Sequence, residues 1–226
     1  LARGVNTLQD AANDPRRVGA VTASEAAEGL MKTKTGKFPS TRDAYALRLA
    51  KERVCGTKEK KWRDDDDFKS DLPRKPHQVR RGLALEPVAL EMAEERLGQR
   101  IWDEQFELHE SIPFFGASPD GTIRLHSRRS LVEVKAQNSN YHLKTLLRQE
   151  IQEKYKFQML VQLAVWTDYK EVLFLSINQE DWPNKKQELA MVTFKPPQDQ
   201  IREVESDVIE FLKEVKDIEN QLREIK

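Results

Sequence analysis

The 226-residue chain has one cysteine, Cys55, so no disulfide can form within it, and a reducing compartment is its natural setting. It also lacks a surplus of charge: Lys+Arg and Asp+Glu both number 38, which removes the whole-protein signature of a polyanion binder and leaves that question to local distribution. No apolar run is long enough to span a bilayer and no signal-like segment opens the chain, which leads us to expect a soluble, cytoplasmic protein. Its four histidines, His77, His109, His126 and His142, have neither zinc spacing nor cysteine partners and are read as surface or structural groups. The first residue is Leu1 rather than Met, so a few residues are expected to precede it.

What is present suits a globular fold. A hydrophobic content of 38% is enough to build one core, and the length fits a single domain over residues 1–226. Charge is uneven along the chain. Residues 1–62 hold 13 Lys/Arg against 7 Asp/Glu, whereas the last thirty residues are acidic, so the N-terminal third is the better face for an anion.

"VTASEAAEGLM" has the Thr22–Glu25 spacing of a capping box and predicts a helix start. "STRDAYALRLAKERVCG" predicts a second helix, stopped by Gly56. Residues 57–76 lack an apolar period and hold two prolines, which predicts a mobile loop. "HQVRRGLALEPVALEMAEERLG" returns to a helical period and closes on Gly98. "IWDEQFELHE", "GTIRLH" and "SLVEVKA" alternate as a short antiparallel meander. "YKFQMLVQLAVWT" is helical again, and "EVLFLSIN" and "ELAMVTFK" are strands. Strand, helix and strand from 131 to 177 form a crossover unit, which requires a parallel pair and therefore a mixed sheet. The fold class is α/β.

Chemistry concentrates in "GASPDGTIRLHSRRSLVEVKAQ". Period-2 alternation puts Leu131, Glu133 and Lys135 on one face of a strand, and a hairpin across residues 121–130 returns Glu133 close to Asp120 in its Pro-Asp-Gly turn. Two carboxylates converging with a lysine make a site for a hard divalent cation such as Mg²⁺. The competing reading is a surface hairpin whose charges are merely solvated.

These segments resemble the PD-(D/E)xK nuclease superfamily, and the wider chain resembles the phage lambda exonuclease family. "RVGAVTASE" is similar to that family's first motif, "RRGLALEPVALE" to its glutamate helix, "ASPDG" and "LVEVK" to its metal site, and "YKFQMLVQLAVW" to its glutamine helix, in the family's order over most of residues 16–178. The resemblance implies a restriction-endonuclease-like core, a mixed β-sheet flanked by helices, with N-terminal helices and a long C-terminal helix. It makes Asp120 and Glu133 the metal ligands, with the Val134 carbonyl as a further oxygen, and Lys135 the catalytic lysine. Glu86 becomes an outer acidic residue, against the alternative of an ordinary helix glutamate. Gln158 lies over the active site, while Leu160 stands where a second glutamine is usual and Gln162 is left as either a functional group or a buried neighbour.

A helix capped by Thr22 would aim free N–H groups at an anion, and Arg17 and the Ser24 hydroxyl would complete a phosphate pocket. The resemblance implies that such a pocket holds the 5′-terminal phosphate, with Lys34 as another contact in place of the more usual arginine; Lys34 is otherwise a loop lysine. The "DDDD" run at 64–67 reads as a solvated acidic loop, and Arg124, Arg128 and Arg129 either touch DNA backbone or keep a hairpin tip soluble. From Ile201 to Ile225 apolar residues recur in steps of three and four, a seam for another subunit or, as favoured here, for the chain's own core.

The function implied is a Mg²⁺-dependent 5′→3′ exonuclease on double-stranded DNA ends, with Mn²⁺ able to substitute, releasing mononucleotides and leaving a 3′ overhang for a single-strand annealing protein. A trimeric ring and a phage or prophage origin in a bacterial host belong to the same resemblance. A structure- or site-specific endonuclease of the same fold and a non-catalytic DNA-end-binding protein are the rival readings.

Overall fold

In a computed structural model of the chain, residues 14–62, 73–125, 128–180 and 182–225 are described. A 3-10 turn at Pro15–Arg17 leads into strand β1 (Val21–Thr22), a one-turn helix α1 (Ala27–Leu30), and helices α2 (Arg42–Cys55) and α3 (His77–Leu97). Strands β2 (Ile101–Trp102), β3 (Glu107–Leu108), β4 (Phe115–Ala117), β5 (Gly121–Leu125) and β6 (Arg128–Ala136) follow. Helices α4 (Ser139–Arg148) and α5 (Glu153–Val165), strands β7 (Val172–Ile177) and β8 (Leu189–Phe194), and helix α6 (Gln198–Glu224) complete the order.

The main sheet runs β2-β5-β6-β7-β8, with β6 and β7 parallel and the other neighbours antiparallel. Strand β7, "VLFLSI", is buried along its whole length because helices cover both faces of the sheet, and its nearly continuous apolar character follows from that position. Alternation along β6 then divides the core in two. Leu131 faces a cluster with Tyr45, Leu49, Met159, Leu163, Phe174, Val208 and Phe211, contributed by α2, α5, β7 and α6. Val132 and Val134 face the other way, onto Ala89, Leu90 and Ala93 of α3.

Tyr45 and Phe211 are fully enclosed and stack with ring centroids 5.3 Å apart, joining α2 to α6. Burial of a side chain of that size contributes about 1.5–3 kcal/mol. Ile201, Val204, Val208, Phe211 and Val215 are all buried, so this stretch of the C-terminal seam packs on the chain's own core as favoured, while Ile225 at its end is exposed. Helices α2 and α3 stop where Gly56 (φ 68°) and Gly98 (φ 61°) adopt left-handed conformations, as their sequences predict.

Three expectations are corrected. The helix expected from Thr22 does not begin there: Val21–Thr22 is a strand, the first helical residue is Ala27, and the Thr22 hydroxyl makes no capping bond. Thr22 is drawn into extended geometry because β1 pairs in parallel with β4, Val21 N–H donating to the Phe114 carbonyl at 2.8 Å. Second, "IWDEQFELHE" is not one strand. Ile101 lies in β2 of the main sheet, residues 103–106 are in no strand although Phe106 is buried, and Glu107–Leu108 joins a small sheet, β1-β4-β3, as β3. Third, α4 was not expected; Asn138 caps it by accepting the Tyr141 N–H at 3.2 Å. Of the loop expected over 57–76, residues 57–62 and 73–76 have neither helix nor strand. The acidic run at 64–67 and His126 lie outside the described residues.

Candidate active site

Asp120 and Glu133 are brought together by hairpin register. Asp120 immediately precedes β5, Gly121 pairs with Val132, and the Asp120 N–H donates to the Val132 carbonyl at 3.0 Å. Extending that antiparallel register by one residue sets Asp120 opposite Glu133, with both side chains on one face. The Asp120 carboxylate then turns back on β6, Oδ2 accepting the Val134 N–H at 2.6 Å.

Glu133 is fully buried at the centre of the sheet, where an unpartnered carboxylate would be untenable. Helix α5 crosses above it and supplies donors from successive turns. Gln158 Nε2 donates to Oε1 at 2.6 Å and Gln162 Nε2 to Oε2 at 2.5 Å, while the Lys135 ammonium also donates to Oε1. Gln158 thus lies over Glu133 from α5. Gln162, left open by sequence, holds the second oxygen of the same carboxylate, and its four-residue offset from Gln158 was the available signal. Tyr155, which sequence reasoning did not single out, lies with its ring centroid 5.5 Å from Lys135 Nζ.

The electrostatics follow from crowding acids into a low-dielectric site. Burial, then the neighbouring charges of Glu133 and Glu86, push the Asp120 carboxyl well above the usual aspartate range, and Lys135 and the Val134 N–H offset this only in part. Burial works against the charge on Lys135, yet Glu133 and Asp120 outweigh it and hold the ammonium more firmly protonated than an ordinary lysine. Glu86, on α3, is partly buried and within electrostatic reach of Asp120. Pro87 beside it removes one N–H from the helix ladder at that turn.

Among the described residues no group of three or more His, Cys, Asp or Glu side chains is arranged to enclose a metal ion. The donor set nevertheless fits a cation that keeps several of its own waters. It comprises two neighbouring carboxylates, Asp120 and Glu133, and the Val134 carbonyl. Leu131 and Gln137 donate their N–H groups to the carbonyls of Glu171 and Ile177 on the β7 side, whereas Val132 and Val134 bond on the β5 side. The Val134 carbonyl thus points to the same side as Asp120, beyond the last β5 pairing. The surface-hairpin alternative does not fit a fully buried Glu133.

The N-terminal group lies on the adjoining small sheet. Phe106 is buried against Gly116, where a Cβ would come within 2.3 Å of its ring, and the Arg17 guanidinium sits 4.3 Å above that ring. Arg17 Nε and the Thr22 hydroxyl are buried without hydrogen-bond partners among the described residues. Ser24 is exposed in the turn that follows β1. Thr22 pairs with Gly116, and β4 runs on through Ser118 and Pro119 to Asp120, so a continuous stretch of chain ties this group to the carboxylates. Lys34 is on a separate exposed turn and makes no ion pair among the described residues.

Sequence reasoning also missed the cations around Glu25. Lys58 and Lys61 lie 3.1 Å from its carboxylate and Arg48 3.4 Å. Burial alone would raise its pKa, but these three charges outweigh burial and pull it down to about 2.

Residues 14–170 match the YqaJ-like viral recombinase domain. Among solved structures, LHK-Exo in complex with dAMP is 27% identical over 92% of this chain and 94% of its own, with a TM-score of 0.74. The alkaline exonuclease LHK-Exo from Laribacter hongkongensis, in a second crystal structure, is 26% identical over 92% and 93% with a TM-score of 0.73. A phage-related exonuclease from Haemophilus somnus 129PT shares the fold at 17% identity, over 90% and 94%, with a TM-score of 0.63. No curated protein matches the sequence. The matched domain covers more than half of the chain, and the chain belongs to the YqaJ-like viral recombinase family, in the lambda exonuclease group that its motifs resemble.

Proposed function

We propose that the chain is a Mg²⁺-dependent 5′→3′ exonuclease that degrades one strand of linear duplex DNA to mononucleotides and leaves a 3′ overhang. The observation that carries this reading is the pair of a half-buried Asp120 and a fully buried Glu133, set beside Lys135 on the same sheet face, with Glu133 braced by Gln158 and Gln162. Asp120, Glu133 and the Val134 carbonyl would hold the cation. When bound, Mg²⁺ (or Mn²⁺ in its place) supplies Lewis-acid charge to the scissile phosphate and makes water more acidic.

The chain's own residues do the rest. Lys135, kept protonated by its acidic neighbours, faces the phosphoryl oxygens as negative charge grows on them and orients the attacking water. Glu86 borders the same space from α3 and is suited to hold that water or an outer-sphere ligand. Gln158 and Gln162 fix both oxygens of Glu133, so the site does not have to reorganise as reaction proceeds. The dAMP in the LHK-Exo complex supports a mononucleotide product.

Polarity is assigned to the N-terminal group. Arg17 and the Thr22 hydroxyl offer unused donors, Ser24 is accessible nearby, and a terminal phosphate has the acceptors to engage them. Lys34 is proposed only as an outer contact, since its turn is not joined to that group by any described bond. A trimeric ring around the duplex and a single-strand annealing partner complete the proposal, on the resemblance alone.

Digestion of end-labelled linear duplex, with and without Mg²⁺ and beside a covalently closed circle, tests the reading. Labelled mononucleotides released from linear DNA in Mg²⁺, with the circle intact, are expected. Cleavage of the circle at a comparable rate would mark an endonuclease, and binding of ends without any hydrolysis would mark a non-catalytic end-binding protein.

A further inference from the structure

We infer that Glu52 is a positioning residue that fixes the two walls of the end-binding pocket, an inference that rests on reading Arg17, Thr22 and Ser24 as a site for a terminal phosphate. Glu52 lies in the last turn of α2 and is only 1% exposed. A carboxylate so placed needs donors for both oxygens, and it draws them from two separate segments. Oε2 accepts the Gly19 N–H at 2.9 Å, and Oε1 accepts the Glu59 N–H at 3.1 Å. The Arg48 guanidinium, one helical turn back, stands 3.7 Å from Oε1.

Each segment carries cations close to the Ser24–Glu25 turn. Gly19 lies two residues after Arg17 and three before Thr22; Glu59 lies between Lys58 and Lys61. The first segment is gripped twice, because Arg53 Nε donates to the Gly19 carbonyl at 2.8 Å while Glu52 takes its N–H. Gly19 adopts φ +64°, and a Cβ there would fall 2.2 Å from Arg53 Cγ, so this contact admits only glycine. The second segment is closed from the opposite side by Glu25, which follows Ser24 and binds Lys58 and Lys61. Glu52 thus ties together, at a buried point, the backbone supports of Arg17 and of the two lysines.

The chemistry of the linkage is specific to a carboxylate. Two oxygens can accept from two N–H groups at once, whereas the amide of a glutamine keeps one acceptor and turns its NH₂ toward the other donor. Glu52→Gln therefore releases one wall without changing side-chain volume. Glu59→Pro removes the second N–H alone, together with an exposed Lys51 ion pair of little consequence.

The test uses the whole chain, duplexes with 5′-phosphate or 5′-hydroxyl ends, and hydrogen exchange of the segments around Gly19 and Glu59. In the wild type the phosphorylated end should be favoured by roughly ten- to a hundredfold. Folded Glu52→Gln should lose amide protection in one or both segments, and its end preference should fall toward one, the loss appearing in KM for the phosphorylated end. Glu59→Pro should weaken the preference while Gly19 stays protected, and it carries the test if Glu52→Gln does not fold. A wild-type preference that the folded variants leave intact overturns the role of Glu52 alone. A wild-type ratio of one overturns the phosphate reading itself, and the role of Glu52 with it.

Discussion

At the scale of single residues, the site is built from groups that destabilise one another until something shares their charge. Asp120→Ala and Glu133→Ala should each reduce Mg²⁺-dependent hydrolysis to background with the chain still folded, because no neighbour replaces the lost oxygen. Turnover near the wild-type level in either variant would remove the pair from the chemistry. Lys135→Ala should be severely slowed while binding of DNA ends, measured by mobility shift in Ca²⁺, stays largely intact. A stability effect accompanies this. Since Asp120 is raised above its ordinary value of 3.8, its favourable contribution is complete below that pH and is lost as pH rises through the folded-state value. Asp120→Asn can still accept the Val134 N–H without the charge. The metal-free variant should therefore melt above the metal-free wild type near pH 7.5, by roughly 2–4 °C per kcal/mol relieved, and the gap should close toward pH 3. Mg²⁺ should raise the melting temperature of the wild type and do little for the variant. The residue pattern of "LVEVK" made Glu133 and Lys135 legible in the sequence, because alternation in a strand has one solution. The four-residue offset put Gln162 on the same helix face as Gln158, but that it holds the second Glu133 oxygen was not legible, since this depends on the height at which α5 crosses β6.

At the scale of elements, the long helices and the crossover strands were readable because each repeats a period over enough residues to be distinctive. Strands β1, β3 and β4 span two or three residues, too few for any period, and are held by pairing in register with one another, with Phe106 and Phe115 each fully buried beside them. Helix α4 was hidden for another reason: "SNYHLKTLLR" opens on polar residues, and its buried His142 and Thr145 face a polar network with Ser176 and Gln137 rather than an apolar core. The cluster that pins the segment after α2 gives a prediction at this scale. The Glu25 pKa is lowered from 4.5 to about 2, so its contribution is complete above pH 4.5 and is lost as pH falls toward 2. Glu25→Gln should cost about 3 kcal/mol at pH 7, and the difference from wild type in urea unfolding should narrow steadily below pH 4.5. A constant difference across that range would show that packing, not charge, holds the segment.

At the scale of the whole molecule, net neutrality conceals a division of labour. The basic N-terminal third supplies the cations around Arg17 and Glu25, while the acidic C-terminal helix spends several of its charges on that same third, as in the Arg42–Glu214 contact at 2.8 Å and the Lys32–Asp207 contact at 2.7 Å. The proposed polarity is a property of this scale. If Arg17 engages a terminal phosphate, Arg17→Ala should lose most of the preference for 5′-phosphorylated over 5′-hydroxyl duplex while still degrading both. Full discrimination by the variant would move the source of polarity elsewhere.

The parallel pairing of Thr22 with Gly116 has a consequence for what such an enzyme would make. If Arg17 and Thr22 hold an end and Asp120 and Glu133 cut, the two places are separated by β-structure and a short Ser-Pro step, with Phe106 packed closely on Gly116. Such a span would act as a ruler: every cut would fall at the same distance from the end, and fragments would come out at one uniform length whatever the base sequence. It also imposes a rhythm. Each cut would create a new end one step away from its holder, so the strand would have to let go and advance before the next bond reached Asp120 and Glu133, and such an enzyme would work as a ratchet whose tooth spacing is set by its smallest sheet.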